Sequence, residues 1–336
     1  MFLIKGITPN NKSNGFAVFD LLLTKLHTMK CVSCFFLLFL QLTFSQNVET
    51  TSVDIAISKY IDGTLLTPAD SIKINTLAII IGGSGPTDRD GNQNFLKCDA
   101  LKKLAIDLTN QGFSTFRFDK RVVKDLKKGI YDNEYLFDDF VKDTRDIVDF
   151  FEANFDFDKV VLIGHSQGSL IAMLASSKAD GLVSIAGPAE SIDAIISKQI
   201  KQSAPEYAEA ADKVLASLKS GQMANEYPFV LASLFNPSIQ PFLMNWMSYN
   251  PKEIFSKMII PSLIVSGSND LQIDPEQAQM LAEANLLSQL MIIPNMNHVL
   301  VDVSKDPLEN AKSYNEPKKP VNEELIAGIS KFIKSL

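Results

Sequence analysis

Histidine is the residue best suited to acid–base chemistry at neutral pH, and this 336-residue sequence contains only three copies, His27, His165 and His298. One of them stands beside a serine in the pentapeptide Gly164-His165-Ser166-Gln167-Gly168. A serine hydroxyl becomes a nucleophile when a neighbouring base takes its proton. The residue types therefore point to covalent catalysis by Ser166, assisted by a histidine.

The pentapeptide matches G-x-S-x-G, and it lies between a predicted strand (160–163) and a predicted helix (169–176). In that context the pattern predicts a turn so tight that side chains at Gly164 or Gly168 would clash, with the serine hydroxyl exposed at the end of the sheet. The N–H groups at the start of the helix favour negative charge at the same point. A purely structural strand-to-helix turn is the alternative, but the context favours a nucleophile.

The base is predicted by elimination to be His298. His165 adjoins Ser166 on a strained turn and points away from it, and His27 lies in a segment that we expect to be removed. His298 follows the predicted strand 290–293, in the loop Pro294-Asn295-Met296-Asn297-His298-Val299. A lone histidine is usually an ordinary surface or core residue, but His298 has no competitor for this role.

The third group of such a site orients the histidine and stabilises its charged form. Asp270 follows the predicted strand 260–265 directly and so lies at the sheet edge where Ser166 and His298 are expected. Asp274 is the alternative. It precedes Pro275-Glu276, a pattern typical of the first turn of a helix, so Asp270 is the favoured residue.

Two backbone N–H groups are expected to bind the developing oxyanion. One is that of Gln167, and the other is that of Ser84, with Gly83 as the alternative, in the loop Gly82-Gly83-Ser84-Gly85 after the predicted strand 76–81. This loop lacks the spacings of phosphate-binding and dinucleotide-binding loops. The following segment, Asp88-Arg89-Asp90-Gly91-Asn92, could bind substrate, but a loop with internal salt bridges is favoured.

The elements that must position these residues alternate between strand and helix. Apolar runs predict buried strands at 76–81, 113–118, 160–163, 182–185, 260–265 and 290–293, and helical spacing occupies 101–108, 137–151, 169–176 and the stretch from about 321. A hairpin precedes them, between about 52 and 67. Strands buried on both faces indicate an α/β fold with a mostly parallel sheet covered by helices on two sides.

One stretch, from about 189 to 257, interrupts this alternation with several short amphipathic patterns. It is too long for an ordinary crossover between parallel strands and is predicted to be an inserted helical cap. The predicted organisation is therefore a core in two parts, 46–188 and 258–336, with the cap at 189–257. The large cap side chains are expected either to line the site or to pack inside the cap; they are Phe229, Phe235, Phe242, Met244 and Trp246.

Residues 1–45 form an N-terminal extension followed by a predicted signal peptide. Met29-Lys30 precedes a 14-residue apolar run, Cys31 to Phe44, which ends at the small residue Ser45. A membrane span needs about 20 residues, so a cleaved signal is favoured over a retained anchor or a buried helix. The expected location is secreted or periplasmic, with no stable membrane insertion after cleavage, and Met29 is a better start than Met1.

Net charge and cysteine content limit the kinds of partner and site that this protein can have. The net charge of −7 becomes −10 if residues 1–45 are removed, which argues against nucleic acid as a partner. Only Cys98 then remains of the three cysteines, which excludes an internal disulfide and a cysteine metal cluster. We predict no metal and no cofactor, and the sequence leaves the oligomeric state open.

Together these motifs resemble the α/β-hydrolase superfamily, and more narrowly its secreted bacterial carboxylesterase-like members, often grouped with the serine aminopeptidase family. The chain order Ser166, Asp270, His298 is that of α/β-hydrolases. The resemblance rests on segments spread from Val53 to the C-terminus: residues 83–92, Phe118-Asp119-Lys120-Arg121, the pentapeptide, Asp270 and Asn297-His298.

This resemblance implies hydrolysis of a small acyl ester, without metal or cofactor. An aminopeptidase or thioesterase with the same three residues is the alternative, and a non-catalytic binding protein on this fold is a lesser one. The sequence departs from relatives in two loops that shape the pocket: Gly82-Gly83 replaces His-Gly, and Val122-Val123 follows Arg121 in place of a glycine-rich turn.

Overall fold

The computed structural model of this protein describes residues 50–130 and 134–336. The described residues contain one eight-stranded sheet in the order β1-β2-β4-β3-β5-β6-β7-β8. β1 and β2 form an antiparallel hairpin, β2 pairs antiparallel with β4, and the remaining strands are parallel. The strands are β1 Thr51–Ala56, β2 Asp62–Thr67, β3 Ile74–Ile81, β4 Phe113–Phe118, β5 Lys159–His165, β6 Gly181–Ile185, β7 Ser262–Gly267 and β8 Ser288–Ile293.

Twelve α-helices accompany the sheet in this part of the chain. They are α1 Ala100–Asn110, α2 Arg121–Lys127, α3 Phe137–Asn154, α4 Gln167–Ala175, α5 Ile192–Ser203, α6 Ala208–Lys219, α7 Ala232–Phe235, α8 Gln240–Met247, α9 Pro251–Phe255, α10 Pro275–Ala284, α11 Pro307–Ser313 and α12 Glu323–Ser335. The predicted α/β class with a mostly parallel sheet and helices on both faces is confirmed. The helices α2 and α11 were not predicted, because each is only seven residues long and carries little apolar periodicity.

The core lies on both faces of the sheet because the central strands are apolar at most positions on both faces. Alternate residues of β3 belong to different clusters: Leu77, Ile79 and Ile81 pack with α3 and α4, whereas Ala78 and Ile80 pack with α1 and α12. Complete burial of such side chains contributes roughly 1.5–3 kcal/mol each. This two-sided burial holds the carboxyl ends of β3, β5 and β7 in register at one edge of the sheet.

The five helices α5–α9 lie between β6 and β7 in the chain, in the segment predicted as an insertion (189–257), which we call the helical insertion. Its apolar side chains continue one of the two core clusters, with Phe235 and Phe255 fully buried. No helix among the described residues has both the length and the apolar character needed to cross a bilayer. The predicted signal peptide lies outside the described residues.

Candidate active site

Ser166 occupies the turn between β5 and α4, with a positive φ of 54° and ψ of −118°. A side chain rarely adopts this backbone region, so the turn is strained and held by its surroundings. Both flanking glycines are required by close approach: a Cβ atom on Gly164 would lie 2.2 Å from the Gly168 carbonyl oxygen, and one on Gly168 would lie 2.3 Å from the Ile81 carbonyl oxygen. The tight turn predicted from G-x-S-x-G is therefore present.

His298 and Asp270 form a hydrogen-bonded pair, with His298 Nδ1 2.7 Å from Asp270 Oδ2. Because a carboxylate only accepts, Nδ1 carries the proton and Nε2 is left with a lone pair. The other carboxylate oxygen, Oδ1, accepts from the backbone N–H groups of Gln272 (2.8 Å) and Ile273 (3.0 Å). The carboxylate thus holds the imidazole in the tautomer that a general base requires.

The Asp270 carboxylate is inaccessible to solvent. Burial by itself raises the pKa of Asp270. His298 and the two backbone N–H groups together lower that pKa by a larger amount, so the net pKa of Asp270 lies below its usual value. Asp270 is therefore ionised at neutral pH and able to stabilise an imidazolium on His298. The alternative, Asp274, caps α10 by accepting from the N–H of Glu276 at 2.9 Å and does not contact His298.

His165 also lines the cavity, but its Nε2 is bonded to the loop that carries His298 and not to Ser166. Its Nε2 donates to the carbonyl oxygen of His298 at 2.8 Å, and the two rings lie 4.7 Å apart. Burial, together with the proximity of His298, lowers the pKa of His165 to about 3. His165 is neutral near pH 7, and it joins the end of β5, just before Ser166, to the loop that carries His298.

We expect this neutral histidine to make the protein sensitive to acid. The pKa of His165 is lower folded than unfolded, where it is about 6.5, so stability is present above pH 6.5 and is lost as pH falls toward 3. Between pH 7 and pH 5 the free energy of unfolding should fall by up to about 2 kcal/mol more in the wild type than in His165→Gln, whose amide can still donate to His298. Urea unfolding at the two pH values measures this, and equal losses in both proteins would contradict it.

The predicted oxyanion residues lie beside Ser166. Ser84 and Gln167 line the same cavity as Ser166 and His298. Gln167 is the first residue of α4, where a helix leaves its N–H groups free. Among the described residues, no group accepts a hydrogen bond from the backbone N–H of Ser84 or of Gln167. Both N–H groups are therefore available to a negatively charged oxygen on the substrate.

The cavity has a volume of about 530 Å³ and receives residues from the core and from the helical insertion. The insertion contributes an apolar wall, which comprises Ile192, Ile196, Leu234, Ile239, Phe242, Leu243 and Trp246. Of the five large side chains considered from the sequence, Phe242 and Trp246 line the cavity. Phe235 is buried within the insertion, Met244 is partly buried away from the cavity, and Phe229 is 93% exposed.

The segment Asp88–Asn92 does not form the internal salt bridges that we expected from its sequence. Arg89 instead pairs with three aspartates from other elements, Asp54 (3.3 Å), Asp62 (3.0 Å) and Asp119 (3.1 Å). The expectation failed because the long side chain of Arg89 reaches beyond its own loop. The β1–β2 hairpin places the carboxylates of Asp54 and Asp62 within its reach. These contacts anchor the segment after the oxyanion loop to the ends of β2 and β4.

Polar residues that the sequence did not single out also line the cavity, among them Gln199, Gln272 and Tyr314. Gln199 Nε2 donates to the backbone oxygen of Gln272 (3.0 Å), and Gln272 Nε2 donates to the Tyr314 hydroxyl (2.8 Å). Isolated glutamines and tyrosines carry no sequence signal of this kind. Among the described residues, no group of three or more histidine, cysteine, aspartate or glutamate side chains is arranged to hold a metal ion.

The chain belongs to the α/β-hydrolase family, because the model of that family matches residues 96–310. The family membership predicted from the motifs is thereby confirmed. A curated relative is the esterase EstD of Thermotoga maritima, 24% identical over 262 residues, which cover 73% of this chain and 60% of the esterase. The chain thus spans about 60% of the length of that relative.

Solved structures of esterases share the fold. Est1E from Butyrivibrio proteoclasticus aligns with a TM-score of 0.51 and 16% identity, covering 84% of this chain and 99% of Est1E. A Pyrococcus furiosus esterase aligns with a TM-score of 0.53 and 14% identity, covering 86% of this chain and 91% of the esterase. At these identities the similarity shows the common fold.

Proposed function

We propose that this protein is a serine hydrolase that cleaves small carboxylic esters through an acyl-enzyme on Ser166. The observation that carries the proposal is the 2.7 Å bond between His298 and buried Asp270, in a cavity shared with a serine on a strained turn at a helix N-terminus. The esterase names of the relatives support the same class of reaction.

The proposed reaction has two halves. Ser166 Oγ attacks the ester carbonyl while His298 Nε2 takes the hydroxyl proton, and the carbonyl electrons move to an oxyanion that the N–H groups of Ser84 and Gln167 bind. The imidazolium then protonates the leaving alcohol as the C–O bond breaks. Water, deprotonated by His298, then attacks the acyl-enzyme. The imidazolium returns that proton to Ser166 Oγ as the acyl C–O bond breaks and the acid is released. Asp270 stays ionised throughout and stabilises the imidazolium.

The two sides of the cavity suit the two parts of an ester. Gln272 lies next to the Asp270–His298 pair, since its backbone N–H binds Asp270 and its side chain binds Tyr314. The leaving alcohol must sit near His298 to be protonated, so it would lie on this polar side. The apolar wall from the helical insertion, with Phe242 and Trp246, would take the acyl group.

Ester hydrolysis is favoured over peptidase activity on a free amino terminus. An aminopeptidase needs a carboxylate to bind the substrate ammonium, and no aspartate or glutamate is among the described residues that line the cavity. Glu206, Glu209 and Glu226, the acidic residues of the insertion considered from the sequence, are exposed to solvent. The three reacting residues are all present, which argues against a non-catalytic binding protein.

A substrate panel tests the proposal. We expect the purified protein to hydrolyse p-nitrophenyl acetate, butyrate or octanoate and to be labelled by a fluorophosphonate at Ser166, whereas an aminoacyl p-nitroanilide should be a poor substrate. Preference for the anilide, or for an S-butyryl thioester over the matching oxygen ester, would favour one of the alternative activities. Absence of both turnover and labelling would refute the serine hydrolase proposal.

For localisation, we propose that the chain is secreted or enters a periplasm after cleavage behind Ser45. The support is the charged start at Met29-Lys30 followed by a short apolar run. Expression of the full chain with N-terminal sequencing of the exported protein tests this. A new terminus at or near Gln46 is expected, and an intact start in the cell interior would contradict it.

A further inference from the structure

Lys120 is a buried lysine beside the oxyanion residues to which the proposed mechanism gives no role. It follows β4 and is only 4% exposed. Its two neighbours are satisfied by opposite charges: Asp119 pairs with Arg89 and Lys127, and Arg121 with Asp139 and Asp143. Within the described residues, Lys120 makes no salt bridge and is held by neutral acceptors instead.

Those acceptors belong to the two segments that supply the oxyanion N–H groups. Lys120 Nζ donates to the backbone oxygen of Gly83 and, at 2.8 Å, to the side-chain oxygen Oε1 of Gln167. Gly83 immediately precedes Ser84, and Gln167 follows the nucleophile. One ammonium group therefore joins the loop after β3 to the first residue of α4.

The contact between Lys120 and the Gly83 carbonyl also affects the orientation of the Ser84 N–H, because the peptide unit is planar. The Gly83 carbonyl and the Ser84 N–H belong to the same planar trans peptide and point in opposite directions. A donor that holds the carbonyl on one side therefore fixes the direction of the N–H on the other. Thr87 and Gln93 donate to the next carbonyl, that of Ser84, but no other described residue donates to the Gly83 carbonyl. Without Lys120, the Gly83–Ser84 peptide, in a segment with three glycines, therefore has more freedom to rotate.

From this geometry we propose that Lys120 is a positioning residue for ester hydrolysis, which aims the Ser84 N–H and holds Gln167 so that both donors face the oxyanion. The inference rests on the proposed function. Lys120 is not expected to contact the substrate, because its Nζ is already bound to Gly83 and Gln167.

A role in packing alone does not explain a lysine at this position. Methionine has similar volume and avoids the cost of burying an ammonium group. Burial lowers the pKa of Lys120 to about 7, yet both the ammonium and the neutral amine carry enough N–H groups to donate twice. The Phe140 ring lies 5.2 Å from Nζ and closes off one side of the group.

The test is Lys120→Met with kcat and KM measured separately on a p-nitrophenyl ester. We expect kcat to fall by about 10- to 100-fold, somewhat less than for removal of an oxyanion donor itself, with KM within about threefold of the wild type. A trifluoromethyl ketone, which adds to Ser166 and places an oxyanion between the same donors, should lose affinity by a similar factor. A role in folding alone would lower thermal stability and leave both of these values unchanged in the folded fraction.

Two controls separate the possible outcomes. Lys128→Met removes an exposed lysine just after α2 and should retain wild-type kcat. Gln167→Leu removes one acceptor but keeps the backbone N–H, so it should cost less than Lys120→Met if the Gly83 contact dominates. If Lys120→Met does not fold, Lys120→Gln, whose side chain is one bond shorter, undergoes the same measurements.

Wild-type kcat and wild-type ketone affinity in a folded Lys120 variant would overturn this inference and leave the proposed function intact. If the wild-type protein neither hydrolyses esters nor reacts with a fluorophosphonate, the proposed function fails, and the role of Lys120 fails with it.

Discussion

Ser166→Ala should reduce kcat/KM for ester hydrolysis by at least about 10⁴-fold, because the proposed nucleophile is lost. Alanine keeps the Cβ atom and removes only the hydroxyl, so the acyl-enzyme cannot form. The strained backbone, with φ of 54°, remains as it was, and thermal stability should stay close to that of the wild type. Steady-state kinetics and thermal unfolding of the same preparation measure the two quantities.

Ser176→Ala is the matched control, because Ser176 lies just beyond the C-terminal end of the same helix, α4, and within the described part of the chain its hydroxyl bonds only the Met173 carbonyl. It should retain wild-type kinetics and fluorophosphonate labelling. Substantial esterase activity in Ser166→Ala would mean that another group attacks the ester, and the assignment of the nucleophile would then be wrong.

Asp270→Asn should lower kcat by about 10⁴-fold. Asparagine has nearly the same shape, so the protein should fold, but a neutral amide cannot stabilise the imidazolium. The asparagine amide can also donate to His298 Nδ1, and this bond favours the tautomer with the proton on Nε2. A protonated Nε2 has no lone pair and cannot accept the proton of Ser166. Measurement of kcat across pH, with circular dichroism as a check of folding, tests this expectation.

Asp274→Asn provides a control four residues away. Asp274 caps α10, and asparagine is an equally good cap, so both activity and stability should be preserved. Asp274→Ala should cost about 1 kcal/mol of stability through loss of the cap and leave kcat unchanged. If Asp274→Asn impaired kcat and Asp270→Asn did not, the roles of the two aspartates would have to be exchanged.

Much of the fold follows directly from local pattern. Continuous apolar runs predicted the central strands, and β4 begins and ends at the predicted residues, 113 and 118. These runs are informative because a strand covered on both faces buries nearly all of its side chains, and most of them are therefore apolar. The buried Ser114, Thr115 and Arg117 of β4 are exceptions. The short helix α2 was missed, because its apolar positions are few and its charged residues pair with distant elements such as Asp62.

The candidate site, like the fold, has some features that local sequence pattern predicted and others that it did not. G-x-S-x-G carries a local signal because the glycines are demanded by contacts within a few residues or with the adjacent strand. The scarcity of histidine then pointed to His298 without any structural knowledge. The residues that line the apolar side of the cavity, by contrast, depend on how the helices of the insertion face the core. Of the five side chains considered from the sequence, only Phe242 and Trp246 line it.

By itself, the amino-acid sequence determined the fold class and pointed to Ser166, Asp270 and His298, because each follows a strand whose apolar pattern is read locally. Only the tertiary structure revealed that Arg89 pairs outside its own loop and that Lys120 joins Gly83 to Gln167. These contacts link residues that are distant in the chain through flexible side chains. Their partners are set by the packing of whole elements, and local periodicity carries no information about that packing.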